Sequence, residues 1–401
     1  MAFIIAYGLL MSGVDGIEAG LYAIINAPDV LVTDYIYIGG PWAALVNAAL
    51  VGLSGVVLLI ACKHKPRGLS LAALWLLFGF ALFGKNILNI WPIILGGFLY
   101  SRFVGKPFND NILVTLFATA LAPAVSTAFG IGMVQPMAAL AYSVGVGVVI
   151  GFVIFPIGQA TVKAHDGFNL YNVGFAAGIL GIVLNSAHQS FGINLELSAY
   201  WGSGYDTEMF VFVHVVSFAL ILAGVLLRPL GSIFGELRQL FESPKDKLDY
   251  FSNIGGVAYI NMGLMGIISV WVAQISGVGL SGPVLGAIFS VIGFGAAGKT
   301  CTNAPPIMLG ATLAAVTSPL GITSAVVVNI LFGTCLSPIT TGFGKWWGLV
   351  AGFVHMHLVT SLAITHGGMN LYNNGASAGF VAIIIVAVAR TAQERKVRLR
   401  G

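Results

Sequence analysis

Two stretches of this chain are copies of one decapeptide, and any fold proposed for it has to place both. His165-Asp-Gly-Phe-Asn-Leu-Tyr-Asn-Val-Gly174 and His366-Gly-Gly-Met-Asn-Leu-Tyr-Asn-Asn-Gly375 both read H-x-G-x-N-L-Y-N-x-G, 201 residues apart (366 − 165). Each copy lies between long apolar runs. A polar decapeptide written twice points to a duplicated protein whose halves jointly build one feature.

The solvent of that protein follows from its charge. Only 8% of the 401 residues are charged and 58% are hydrophobic, against about 25% charged in soluble domains. Such a chain cannot cover itself with polar groups, so lipid is its solvent. The 53 glycines suit closely packed or broken membrane helices. The net charge of +4 comes from short basic clusters between apolar runs, which report orientation rather than nucleic-acid binding. Cys62, Cys301 and Cys335 have no CxxC spacing and suggest neither a zinc site nor a disulfide framework. Residues 1–12 lack a basic leader and read as the start of a membrane segment.

Read by length, with about 20 residues needed to cross, the apolar spans fall at 2–26 (interrupted by Asp15 and Glu18, hence two short or interfacial helices), 40–62, 68–84, 87–101, 110–130, 132–160, 169–187 and 207–228. A polar stretch, 229–248, precedes a second series at 252–273, 279–297, 304–318, 322–338, 346–364 and 370–389, and a basic tail runs from Arg390 to Arg400. The expected organisation is an N-terminal apolar segment (1–33), repeat 1 (34–190), a connecting span and loop (191–248), repeat 2 (249–389) and the tail (390–401). Near 14 crossings are expected, fewer if short segments are re-entrant.

The repeat extends beyond the decapeptide. Gly84-Lys85-x-x-x-Asn89-x-x-Pro92-Ile93-x-Leu95-Gly96 recurs as Gly298-Lys299-x-x-x-Asn303-x-x-Pro306-Ile307-x-Leu309-Gly310, 214 residues on (303 − 89). Asn47-x-x-Leu50-x-Gly52 recurs at Asn261, Phe117-x-Thr119-x-Leu121-x-Pro123 at Phe332, and Thr127-x-Phe129-Gly130 at Thr341. The fall from 214 to 201 implies about 13 extra residues near 132–160 of the first copy. The basic stretches 63–67, 228–247 and 390–400 are placed in the cytoplasm by the positive-inside rule. Span 40–62 then runs inward and its copy 252–273 outward, so the halves are inverted. The expected fold is an all-α polytopic membrane protein of two inverted-topology repeats with short, Pro-broken or re-entrant helices, with a site at the repeat interface.

Asn89 and Asn303 are expected to N-cap short helices that tolerate Pro92 and Pro306 in their first turn. Helix N-termini ending inside the protein suit an anion, and Lys85 and Lys299 add a full charge beside each. The competing reading has both lysines snorkelling to opposite faces as anchors. Thr119, Thr127, Thr334 and Thr341 either satisfy carbonyls freed by Pro123 and Pro338 or line a path; kinking is the simpler reading.

The decapeptide supplies His165, Asn169, Tyr171 and Asn172, and again His366, Asn370, Tyr372 and Asn373. Amides and phenols donate and accept, as a polar solute shedding water requires. The alternative is a cap-and-packing motif around Gly167 and Gly368. Counting along the spans sets the motif near a membrane face, as a gate. His355-Met-His357 is badly spaced for one helical face, so no metal site and no cofactor are expected. No embedded acid is read as duplicated (Asp166 matches Gly367), which argues against a carboxylate proton relay. No nucleotide loop appears. Tyr200, Trp201 and Tyr205 read as an interfacial belt.

At the duplicated NLYN and GK-x-x-x-N-x-x-PI-x-LG residues the chain resembles a family of bacterial multi-spanning membrane proteins whose domain has no known function. That resemblance implies the bacterial inner membrane and names no substrate. The plan of inverted halves is similar to urea transporters in architecture alone, which would imply a passive path through each protomer of a homo-oligomer. The expectation is a secondary transporter, not an enzyme, for a small polar, candidate anionic metabolite coupled to sodium or protons. Lys85, Asn89, Thr119, Lys299, Asn303 and Thr334 are its candidate binding residues, and the two NLYN segments its gate. A passive channel for a neutral solute is the alternative, and an intramembrane enzyme using His165 or His366 a third.

Overall fold

In the computed structural model the chain is helical, and residues 1–27, 29, 32–130, 135–193, 201–202 and 204–398 are described. Tyr200 and Arg400, named above, lie outside them. The first half holds α1 (Ala2–Ile25), α2 (Tyr35–Gly39), α3 (Pro41–Ala61), α4 (Gly68–Phe80), α5 (Trp91–Phe103), α6 (Phe108–Ala118), α7 (Ala122–Phe129), α8 (Pro136–His165) and α9 (Asn172–Ser190). The second holds α10 (Asp206–Leu226), α11 (Leu230–Phe241), α12 (Tyr250–Ile254), α13 (Val257–Ile275), α14 (Gly282–Phe294), α15 (Pro305–Val316), α16 (Ser324–Gly333), α17 (Ser337–Phe343), α18 (Lys345–Thr365) and α19 (Asn373–Arg398).

Among the described residues eight helices are long and apolar enough to cross a membrane, with α6–α7 and α16–α17 counting as one each. That is below 14, on the side of the expectation in which short segments do not span. Helices α4, α5, α14 and α15 have 12 or 13 residues, about 20 Å of rise against about 30 Å of hydrocarbon. Helices α9 and α18 are long enough but carry polar residues such as Asn185 and His355. Helix α1 is interrupted at Gly13, whose φ of 67° is not helical. The stretch read as merely polar, 229–248, contains α11, which buries Ile233 and Leu240 while Phe234 stays 84% exposed.

The duplication is visible contact by contact. Asn47 Nδ2 donates to the carbonyls of Ala81 and Lys85 at 2.7 and 3.0 Å, and Asn261 Nδ2 to those of Gly295 and Lys299 at 2.7 and 2.8 Å. Helix α1 packs on α3 through Gly20 against Ala43, and α10 on α13 through Gly224 against Ile260. The extra residues of the first copy are also found. Eight fall within α8, where Pro136–His165 stands against Lys345–His366 (30 − 22), and five, residues 131–135, precede it in sequence.

The halves are related by a two-fold. Gly79 faces Gly286, and their copies Gly293 and Ala72 face each other, so α4 and α14 run antiparallel. Gly178 faces Ala376, and the copies Gly379 and Phe175 do the same for α9 and α19. Three residues touch their own copies and therefore mark the axis. Trp75 stacks on Phe289 at 5.7 Å, Tyr171 meets Tyr372 at 4.8 Å, and Gly174 meets Gly375. Helix α19 is long and apolar enough to cross a membrane, and an axis that reverses such a helix is the relation that inverted repeats require.

Polar bonds cross between halves in reciprocal pairs. Asp34 Oδ1 accepts the amide of Gly282 at 2.9 Å, and Asp249 Oδ1 that of Gly68 at 2.8 Å. Leu170 N donates to Cys335 O and Leu371 N to Ala120 O, at 3.0 and 3.1 Å. Asp34-Tyr35 and Asp249-Tyr250 are thus a duplicated acid pair beyond the matches read from the sequence. Their carboxylates cap the first turn of the opposite half's α4 or α14, where backbone amides otherwise lack partners.

A candidate solute site on the two-fold axis

Each half breaks twice near the axis. Pro123 and Pro338 open α7 and α17 just after single 3₁₀ turns, Thr119–Leu121 and Thr334–Leu336. Thr119 and Thr334 donate their hydroxyls to Leu116 O and Leu331 O three residues back, and Ser337 Oγ donates to Thr334 O, the carbonyl that Pro338 leaves without its helical partner. The second break, between α4 and α5 or α14 and α15, carries Lys85-Asn86-x-x-Asn89 or Lys299-Thr300-x-x-Asn303.

Asn89 and Asn303 do not cap the short helices. Those start later, with Ile90 and Ala304 in the capping position and no side-chain cap. Each asparagine closes the preceding turn instead. Asn89 Oδ1 accepts from Asn86 N and Asn303 Oδ1 from Thr300 N, at 2.9 and 2.8 Å. Their amide groups reach Ser126 Oγ and Thr341 Oγ1, at 3.1 and 3.2 Å. Ser126, not Thr127, therefore stands where Thr341 does. The first copy has one more residue between the proline and the Phe-Gly pair, which shifts the match by one.

One residue of the first break was not legible as functional. Asp29 is 2% exposed and accepts from Tyr35 Oη, Asn86 Nδ2, Asn89 Nδ2 and Ser126 Oγ. A carboxylate of the chain itself thus sits beside the start of α5. It lies in a connection with no matched copy, so repeat comparison offers no signal for it.

Lys85 and Lys299 are fully buried and do not snorkel. Among the described residues no carboxylate lies within ion-pair distance of either. Lys85 Nζ donates to Thr119 Oγ1 at 2.9 Å and lies 5.2 Å from the Phe80 ring centre. Lys299 Nζ donates to Tyr171 Oη at 2.6 Å and lies 4.6 and 5.4 Å from the Tyr171 and Phe294 rings. Aromatic faces partly replace water around an ammonium. Phe80 packs on Tyr372 at 4.8 Å and Phe294 on Tyr171 at 4.9 Å, so both lysines border one aromatic cluster on the axis.

The decapeptide divides into a structural part and an axial part. His165 Nε2 pairs with Asn172 Oδ1 and His366 Nε2 with Asn373 Oδ1, each at 2.9 Å. Asn169 and Asn370 accept from the amides of Tyr171 and Tyr372, each at 2.9 Å, as in Asx turns. The tyrosines reach the axis. The motif therefore runs from a face inward rather than staying at a face. Asp166, at its outer end, is exposed and pairs with Arg390 and Lys245, and the non-helical turn covers depth faster per residue than a helix does. Arg390 holds the Asp166 carboxyl below its ordinary value.

In front of the tyrosines lies a crevice of about 200 Å³. Leu69, Leu113, Val114, Phe117, Leu170 and Phe294 wall it, and Tyr171 and Tyr372 close its inner end. Leu69, 43% exposed, marks the mouth, next to Arg67. The Tyr171 hydroxyl has two partners, Lys299 and Ser290, whereas the Tyr372 hydroxyl is buried with none among the described residues. Thr119 and Lys85 are thus brought together, as are Lys299 and Tyr171; Thr334 stays within its own turn, and Asn303 joins its turn to Thr341.

No curated protein and no solved structure matches the chain. The model of a family of proteins of unknown function, DUF1576, matches residues 15–190 and 230–391, most of each half, and the chain belongs to that family.

Proposed function

We propose that the protein is a secondary transporter for a small anionic metabolite, which binds on the axis and is exposed to the two sides in turn. The observation that carries this is an asymmetry laid over the two-fold. Leu69, Leu170 and Val173 are open or half-buried along the crevice, whereas their copies Pro283, Leu371 and Asn374 are buried. Inverted repeats that adopt two unequal conformations exchange them to produce the opposite-facing state. The two buried lysines supply the charge. Keeping such ions in the interior is costly, and that cost favours a functional role over anchoring.

In this reading Tyr171 and Tyr372 form the barrier, and the short helices α5 and α15 are re-entrant. Asn89, Asn303 and the His–Asn pairs shape the breaks, so no catalysis is assigned to His165 or His366. The positive-inside rule puts Lys63–Arg67, Lys245 and Arg390 in the cytoplasm, so the crevice faces inward. A permanently open channel would not bury one copy of its vestibule.

The test is side-specific labelling with a membrane-impermeant maleimide, after replacing Cys62, Cys301 and Cys335. Leu170→Cys should label from the inside and Leu371→Cys from the outside, with substrate shifting the two rates in opposite directions. Two labelling rates that never change together would refute alternating exposure.

A further inference from the structure

We infer that Asn329, Asn374 and His355 form a hydrogen-bonded latch that holds the outward-facing copy of the crevice shut, and that the inward-facing copy closes without one. This deepens the transport reading and rests on it for the claim that the two copies open in turn.

The argument starts from the walls of the open crevice. Val114 on α6 and Val173 on α9 both line it. Their copies in the second half are Asn329 on α16 (329 − 114 = 215) and Asn374 on α19 (374 − 173 = 201). There the two copies bond to each other, with Asn374 Nδ2 donating to Asn329 Oδ1 at 3.1 Å. The connection continues inward. His355 Nε2 lies 3.0 Å from Asn374 Oδ1, and Ser377 Oγ lies 3.1 Å from His355 Nδ1. An amide oxygen only accepts, so the imidazole proton stands on Nε2 and Nδ1 accepts from Ser377. The bonds thus run in one direction, from Ser377 through His355 and Asn374 to Asn329.

The first half lacks the side chains for such a chain. Ile154 stands for His355 and Ala176 for Ser377, beside the two valines. Room for the ring is also particular to the second half. A Cβ added at Gly333 would stand 2.8 Å from His355 Cδ2, and the first half has Ala118 there. Four polar residues and one glycine therefore differ together, and all five serve one junction of α16, α18 and α19. Helix packing alone does not call for the difference, because α8 and α9 pack in the first half with apolar residues at the same places. Burial is graded along the chain of bonds. Ser377, His355 and Asn374 are buried, and Asn329 is half-buried. The bond between the two asparagines is thus the one that water can replace when α16 and α19 part. An interhelical bond of this kind shifts an opening equilibrium by about three- to tenfold.

The experiment uses the full-length protein in proteoliposomes, in the cysteine-free background, with Leu371→Cys or Leu170→Cys as reporter and the impermeant maleimide as probe. Asn329→Val and Asn374→Val install the residues of the first half. Each should raise the outside labelling rate of Leu371→Cys about three- to tenfold. The double variant should be no faster than Asn374→Val, because one bond can be lost only once. Asn374→Val leaves His355 Nε2 without its acceptor, so where it fails to fold, His355→Ile with Asn374→Val supplies the first half's apolar pair and takes its place. Unchanged rates in the single variants, or single effects that multiply in the double, would overturn the latch. Alternating exposure fails separately. Faster labelling of Leu371→Cys with no fall at Leu170→Cys keeps the latch and removes the exchange of sides, whereas parent rates that change in opposite directions while the variants match the parent do the reverse.

Discussion

The carboxylate of Asp34 accepts the amide of Gly282 at 2.9 Å, 248 residues further along the chain, and Asp249 returns the bond to Gly68 at 2.8 Å. Each repeat thereby caps a helix of the other. The two caps are unequal. Asp34 is fully buried and also accepts from Gly202 and Ile36, while Asp249 is half-buried and also accepts from Ser252. Asp34→Ala should therefore lower stability by about 2–4 kcal/mol, since buried amides are left unmet. Asp249→Ala should cost about 1 kcal/mol, because water can reach the freed groups. Thermal unfolding of the two variants in one detergent checks the order, and equal losses would contradict it.

Helices α5 and α8 approach until their backbones touch. A Cβ added at Gly151 would stand 2.0 Å from Ile93 O, and one at Gly352, its copy, 2.1 Å from Ile307 O. On the same helix as Gly151, Gly145 has nothing within 4 Å. Gly151→Ala is expected to destabilise by about 1–3 kcal/mol through forced separation of the helices. Gly145→Ala should be neutral or slightly stabilising, because Ala is the better helix former. The pair shares helix and chemistry, so a common loss in both would point away from packing.

The buried lysines should trade stability against activity. Replacing a buried charge by an apolar side chain of similar volume is often neutral or stabilising, by about 1–4 kcal/mol. Lys85→Met and Lys299→Met are thus expected to keep or raise the unfolding midpoint while cutting proteoliposome uptake of small anions at least tenfold. Uptake that survives in both variants would remove the lysines from the pathway.

Asp166 ties the end of α19 to the loop before α12. It pairs with Arg390, and with Lys245 at 3.6 Å. Its carboxyl titrates below the ordinary value, chiefly because of the Arg390 hydrogen bond. A depressed carboxylate contributes above its unfolded pKa, about 3.9, and loses that contribution as pH falls through the lower folded value. The tie should therefore be constant from pH 5 to pH 8 on this scale, and it should weaken with salt because the groups are exposed. Tryptic cleavage after Arg390 reads it out directly. Asp166→Asn should cleave faster at neutral pH and low salt, and a matching rate in the parent would show that the pair holds nothing.

Much of the architecture was readable because it depends on terms that act residue by residue. Charge content named the solvent. Recurring Lys, Asn, Pro and His at near-constant offsets named the duplication, and the basic clusters flanking the spans named the inversion. Short apolar runs read from composition alone proved to hold helices of 12 or 13 residues, too short to cover the bilayer, so helix length was decided by the fold. Asn89 and Asn303 were expected one step too early, since cap and turn chemistry use the same side chain and differ only in where the helix begins.

The sequence by itself determined that lipid surrounds this chain, that two inverted copies share one plan, and that lysine and tyrosine recur at matched places. Only the tertiary structure decided that Trp75, Tyr171 and Gly174 touch their own copies, that Asp29 fills the break beside α5, and that the Tyr372 hydroxyl is buried with no partner among the described residues. The physical reason is the range of the interactions. Partitioning and local turn formation are set by neighbours in the chain. A contact across some 200 residues depends on how two surfaces pack, and a difference as small as Leu76 against Ser290 decides which of two equal tyrosines is left open.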